Sequence, residues 1–190
     1  MALTKRYDDA LTYAAELHRT QTRKGTTIPY LSHLLAVSAF VLEAGGDEDL
    51  AIAGLLHDSL EDQPGNTSHE EIEERFGSRV AEIVRACSDA EPAPGEQKPP
   101  WQERKRAYLA HLESAPTDVL MVSRADKLHN ARSIAQDARA LGDELWTRFN
   151  ASKADQFWYY DELARVFHER LPGPQSDELT SAVAAMKVAE

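Results

Sequence analysis

The chain contains one cysteine, Cys87, in 190 residues. An internal disulfide is excluded, and a lone thiol suits a reducing compartment, so a cytoplasmic location is expected. Apolar runs are short: none approaches the roughly 20 residues that span a bilayer. The first residues, MALTKRYDDALTYAAEL, lack the apolar stretch and small-residue cleavage site of a signal peptide. Basic residues are also in deficit, 21 Lys and Arg against 32 Asp and Glu, for a net charge of -11. That balance repels nucleic acid and anionic membranes, and argues against both as partners. A small anionic substrate stays compatible where a cation or a local basic cluster opposes the global field.

Strand-like alternation is missing too. Almost every segment reads at helical period, which predicts an all-α fold, a bundle of about eight to ten helices in a single domain. Helices are expected over 7–21, 31–44 and 47–60, the last with Asp47 as N-cap. Gly25 and Pro29 mark RKGTTIPY as a loop. Ser68 and Glu71 fit a capping box that opens a short helix ending at Gly77, and another runs over 78–88. EPAPGEQKPP, residues 91–100, cannot be helix interior and is expected as a rim loop carrying Lys98. Helices follow over 101–114, 117–141 and, as one long element, 143–171. The division expected is a domain over 1–171 and a tail or short helix over 172–190.

Metal-ligand residue types concentrate in PYLSHLL (His33), GLLHDSLED (His57, Asp58, Glu61, Asp62) and SRADKLHN (Asp126). Residues four apart share a helix face, so a helix places His57 below Glu61 and Asp58 below Asp62. Adjacent residues lie about 100° apart, so His57 and Asp58 can flank one cavity and reach one cation. The surrounding helix is apolar (Ala51, Ile52, Ala53, Leu55, Leu56), and unpaired carboxylates there would be costly to bury. Each residue alone has an ordinary structural reading: a core histidine, a common dipeptide, a charged last turn, a polar face. Together, on helices otherwise buried, they favour a bound divalent ion. Mixed imidazole and carboxylate ligands suit Mn, Fe or Zn better than Ca. Two His and two Asp leave positions for water and a substrate phosphate, with Glu61 as general base and Asp62 to orient water or protonate the leaving group. His18, His69, His111 and His168 read as surface residues, and His129 as facing away from Asp126 and Asn130. Lys127 and Arg106 read as solvated, Cys87 as core.

The order His…His-Asp…Asp resembles the HD phosphohydrolase superfamily. RKGTTIPYLSH, LLHDSLED and RADKLHNAR, in that order, resemble the hydrolase domain of Rel/Spo-type alarmone enzymes and the stand-alone small alarmone hydrolases, over about residues 7–171. The resemblance implies a manganese ion on His33, His57, Asp58 and Asp126, and water activation by Glu61 and Asp62. It places Arg23 and Lys24 beside the guanine base and phosphates, Asn130 on the ribose, and an aromatic near the nucleotide around Phe157. Lys105 and Lys153 are further basic candidates for the substrate. The implied reaction removes the 3′-pyrophosphate of guanosine tetra- or pentaphosphate to give GDP or GTP; a chain of this length is expected to carry the hydrolase alone. Two departures stand out: Leu34 in place of the family's usual proline, and Ser123-Arg124 before Ala125-Asp126 where apolar residues are usual. Two other functions compete: an HD phosphatase acting on another nucleotide (a 5′-nucleotidase or an NADPH phosphatase), and a non-catalytic nucleotide-binding module. A homodimer is among the assemblies left open.

Overall fold

A computed structural model describes residues 2–88 and 99–187. Those residues form ten α-helices and one 3₁₀ helix. The helices are α1 (Lys5–Leu17), α2 (Leu31–Glu43), α3 (Glu48–Leu56), α4 (Ser59–Asp62), α5 (His69–Phe76), α6 (Ser78–Cys87), α7 (Trp101–Leu112), α8 (Thr117–Leu141), α9 (Lys153–Arg170) and α10 (Pro174–Lys187). The 3₁₀ helix, Gly142–Arg148, lies between α8 and α9. No described helix is long and apolar enough to cross a membrane. Residues 91–98 of the proline-rich segment, with Lys98, lie outside the described residues.

The long helix α8 is the axis of the bundle. It packs against α2, α3, α6, α9, α10 and the 3₁₀ helix, and buries Leu120, Val122, Ala125, Leu128 and Ala131. Helix α10 lies along α8 and α9 and adds Leu179, Val183 and Met186 to the same core. Helices α2 and α3 approach closely because small residues meet there. A Cβ on Gly54 would stand 3.1 Å from the Ser38 Cα, and Ser38 Oγ donates to the Ala51 carbonyl at 2.9 Å. This crossing brings the helix bearing His33 against the helix that ends at His57.

Two expected helices are broken, each for a local reason. The element expected over 143–171 is a 3₁₀ helix followed by α9. Gly142, at φ +57, ends α8, and Ser152 with Asp155 forms a capping box that starts α9 afresh. The helix expected over 47–60 is interrupted at His57-Asp58. The His57 Nδ1 lies 2.9 Å from the Gly54 carbonyl, the acceptor that the Asp58 amide would take in an unbroken helix. The following turn still closes, with Asp62 N donating to Asp58 O at 2.9 Å. Of the three residues where the family resemblance falters, Ser123 and Arg124 are polar and find partners, although the buried Arg124 Nε has none. The Ser123 hydroxyl bonds the Tyr108 hydroxyl. The buried Arg124 guanidinium donates to the Leu171 carbonyl (3.1 Å), Ser176 Oγ (3.2 Å) and Gln175 Oε1 (3.2 Å), tying α8 to the α9–α10 corner.

Candidate metal centre and the cavity beside it

Four side chains from three parts of the chain converge behind the α2–α3 crossing: His33 from α2, His57 and Asp58 from the α3–α4 break, Asp126 from the middle of α8. The ligand atoms of His33, His57 and Asp58 lie within 4.8 Å of one another. The Nε2 of His57 is 3.0 Å from Asp58 Oδ2 and 3.7 Å from Asp126 Oδ1; that of His33 is 3.6 and 3.3 Å from the same atoms. Adjacent ligand atoms on an octahedral ion at about 2.1 Å stand about 3.0 Å apart, so these spacings suit one cation.

The orphaned atoms make the case for a cation. Both imidazoles are buried, and neither Nε2 has a hydrogen-bond partner; the carboxylate oxygens within reach lie off the direction in which a ring N–H would point. A carbonyl only accepts, so the Gly54 contact puts the proton of His57 on Nδ1. In the neutral ring Nε2 then carries a lone pair that no hydrogen-bond donor meets. Buried polar atoms without partners are costly, and a divalent ion in the gap removes that cost.

Charge is concentrated accordingly. Burial alone would lower the His57 pKa, but the Asp58 and Asp126 carboxylates outweigh it and hold the group well above its ordinary value. Burial would raise Asp126, but the Lys127 ammonium and the two imidazoles hold its carboxyl well below the carboxylate range. Asp58 is likewise held low against its burial, chiefly by His57. Asp62 moves the other way: partial desolvation of a carboxyl that still reaches solvent, and then the neighbouring Asp58 charge, raise its pKa, although Gln21 donates to it at 2.8 Å.

A pH dependence follows for the metal-free protein. Asp58 and Asp126 contribute stability above about pH 4, lost as pH falls through their lowered folded values. His57 contributes below about pH 6.5, and that contribution is lost as pH rises through its raised folded value. Metal-free thermal stability is therefore expected to peak between about pH 4 and 6.5. Added cation requires the neutral imidazole, so its stabilising shift should be larger at pH 8 than at pH 6. Melting curves with chelator and with metal check this; an equal shift at both pH values would contradict it.

Beside this centre lies a cavity of about 420 Å³. Arg23, Lys24, Tyr30, His129, Asn130, Phe149 and Tyr160 are among its lining residues. Arg23 donates to Asn130 Oδ1 at 2.7 Å, and Asn130 Nδ2 donates to Asp126 Oδ1. One side chain therefore links the basic loop to Asp126. Lys24 Nζ donates to Asn150 Oδ1 at 3.2 Å. Gly25, at φ +71, lets the loop turn over the Arg148 side chain, whose Cδ would meet an added Cβ at 2.7 Å. Gly25→Ala should displace Arg23 and Lys24 and raise KM by about tenfold, roughly 1.4 kcal/mol of lost binding, with kcat little changed. Steady-state kinetics reads this; an unaltered KM would remove the loop from substrate binding.

Other expected substrate residues lie elsewhere. Phe157 packs edge-on to Trp146, centroids 5.1 Å apart, and is not in the cavity lining, where Phe149 and Tyr160 stand instead. Lys153 pairs with Asp143 at 2.9 Å, and the Lys105 ammonium sits 5.0 Å from the Tyr159 ring centroid. Glu61 is half-buried on α4 beside Asp62. A larger groove, about 610 Å³, runs between α9 and α10 but holds no comparable ligand set.

Several residues at the site carried little local signal. Tyr30, in the quoted PYLSH string, donates its hydroxyl to Asp58 Oδ2. His18, expected on the surface, is buried, with Nδ1 2.7 Å from Gln21 Oε1 and its ring stacked on Tyr30. His69 is half-buried, 3.2 Å from the Glu82 carboxylate. Lys127, expected in solvent, forms an ion pair with Asp126 in which the two side chains are 15% and 7% exposed. Arg106 stands 5.3 Å over the Trp158 ring. His129, expected to face away, brings Nδ1 to 2.8 Å from His33 Nδ1.

The profile of the HD domain family matches residues 10–156. The chain belongs to the HD domain family. Among curated HD relatives, the Xenopus tropicalis protein named guanosine-3′,5′-bis(diphosphate) 3′-pyrophosphohydrolase MESH1 is 38% identical over 129 residues, covering 66% of this chain and 68% of that one. The human MESH1 is 33% identical over 163 residues, covering 83% and 80%. The Aquifex aeolicus enzyme of the same activity name is 36% identical over 125 residues, which is 66% of this chain but 17% of that longer protein. The structure reported as a metazoan SpoT orthologue that hydrolyses ppGpp superposes with a TM-score of 0.77 at 26% identity, covering 97% of both chains.

Proposed function

We propose that this HD protein is a metal-dependent hydrolase that removes the 3′-pyrophosphate of guanosine tetra- or pentaphosphate, giving GDP or GTP and pyrophosphate, with manganese as the cation. The observation that carries the reading is the convergence of two partnerless imidazole nitrogens and two carboxylates at the edge of a cavity lined by Arg23, Lys24 and Asn130. The activity named for relatives 33–38% identical over most of their length supports it.

A cation held by His33, His57, Asp58 and Asp126 supplies Lewis acidity toward a phosphate oxygen and toward water. The chain's own residues do the rest. Arg23 and Lys24 bring positive charge to the polyphosphate, which an acidic protein otherwise repels. Phe149 and Tyr160 offer ring surface to a base. Glu61 takes the proton of the water that attacks the phosphorus next to the ribose 3′ oxygen. The bond from that phosphorus to the 3′ oxygen breaks, and Asp62, whose raised proton affinity suits an acid, protonates the departing oxygen. A cytoplasmic location is part of this reading, supported by the lone cysteine, which suits a reducing compartment.

The test is a product assay with manganese-loaded protein across guanosine tetraphosphate, nucleoside 5′-monophosphates and NADPH. Pyrophosphate from the first substrate is expected. Orthophosphate from either of the others would transfer the chain to a different nucleotide, and metal binding without any product would make it a binding module. Glu61→Gln should lower kcat by about 10²–10⁴ while metal content stays at the wild-type level; unchanged turnover would remove Glu61 from the mechanism.

A further inference from the structure

We infer that His129 is a positioning residue for the cation site, holding His33 in the tautomer and ring orientation that a ligand needs. The two imidazoles of the site are held differently. His57 is fixed through Nδ1 by a backbone carbonyl, that of Gly54, at 2.9 Å. The His33 Nδ1 has as its hydrogen-bond partner the Nδ1 of His129, at 2.8 Å, and the rings stand 4.8 Å apart. Two nitrogens at that distance share one proton, so one donates and the other accepts. If His33 is to offer the Nε2 lone pair to a cation, its own proton must sit on Nδ1, and His129 must accept there and carry its proton on Nε2. His129 thus does for His33 what the Gly54 carbonyl does for His57. The register of α8 makes this possible: Asp126 and His129 are three positions apart, close to one turn, so one helix supplies a carboxylate and the support of an imidazole from another helix. His129 also lines the cavity, so a substrate contact is the rival role that the test must separate.

The inference rests on the reading of His33 as a metal ligand, so unaltered protein is measured first. Manganese binding is titrated by electron paramagnetic resonance or calorimetry for wild type, His129→Phe and His129→Asn. Phenylalanine keeps the ring without an acceptor; asparagine places a carbonyl oxygen near the position of Nδ1. Wild type should bind one manganese, the phenylalanine variant should bind about 10–100-fold more weakly, and asparagine should recover most of that loss. No binding by wild type would overturn the metal reading and this one together. Binding by wild type with equal affinity in the phenylalanine variant would overturn this inference alone, as would an asparagine variant no better than phenylalanine. A change confined to KM for the nucleotide would assign His129 to the substrate. Because a variant can misfold, the tautomer is read independently by ¹⁵N NMR of zinc-loaded wild type: a proton on His33 Nδ1 is expected, and a bare Nδ1 there overturns the inference.

Discussion

Asp58→Asn is expected to lower turnover by about three orders of magnitude, with loss of bound metal and little change in fold. The substitution keeps the side chain's volume and leaves an oxygen to accept from Tyr30, but removes the negative charge that faces both His33 and His57. Lewis-acid stabilisation of a phosphoryl transition state is worth several kcal/mol, and each 1.36 kcal/mol is about tenfold in rate. Metal analysis by plasma emission alongside pyrophosphate release reads the outcome. A variant that keeps its metal and its rate would show that Asp58 is not a ligand.

The second large effect concerns stability, and its size should depend on the cation. Lys127 and Asp126 form an ion pair that is mostly out of solvent, and the ammonium also stands 5.2 Å from the Tyr108 ring centroid. Removing one member of such a pair leaves the other as an uncompensated buried charge, at a cost of about 3–5 kcal/mol. Lys127→Met takes away the nearest cation and leaves metal-free Asp126 facing only the imidazoles, chiefly the protonated His57, so the loss should fall toward the lower end of that range. With a divalent cation bound, Asp126 faces a larger positive charge in their place, and most of the penalty should vanish. Urea unfolding of wild type and variant, once with chelator and once with saturating manganese, gives the two differences. Equal losses under both conditions would mean that Asp126 does not face the cation.

How much of this was legible in advance can be seen residue by residue. The helical class was plain from periodicity, and helix α8 has the limits its pattern predicts, residues 117–141. His57-Asp58 stood out because the residues before it are apolar and fully buried. Its backbone did not: the break depends on an imidazole taking the Gly54 carbonyl, a choice between two nearby donors that periodicity does not register. The aromatic expected around Phe157 does not line the cavity itself, but Tyr160, three positions along the same helix, does, and so does Phe149 from before the helix. Phe149, Phe157 and Tyr160 are all aromatic, and the restart of the helix at Ser152 decides which of them faces the cavity.

The partners of the four converging side chains were the least legible part. His129 and Lys127 lie in the SRADKLHN segment and looked like ordinary face residues. Each is engaged by a side chain from a helix far along the chain or by a carboxylate beside it. A helical wheel gives the direction of a side chain to within a turn but says nothing of what stands opposite.

From sequence alone came the helical class, the run of metal-ligand residue types in a set order, and the basic loop before the first of them, because all three are written locally, in residue type and spacing. Only the tertiary structure decided which nitrogen of each imidazole is left for a cation, which histidine steadies which, and which ring lines the cavity. Those depend on the angle and separation at which α2, α3 and α8 meet, set by small residues such as Ser38 and Gly54 at the crossing. That packing is a property of pairs of helices, not of any one stretch of chain.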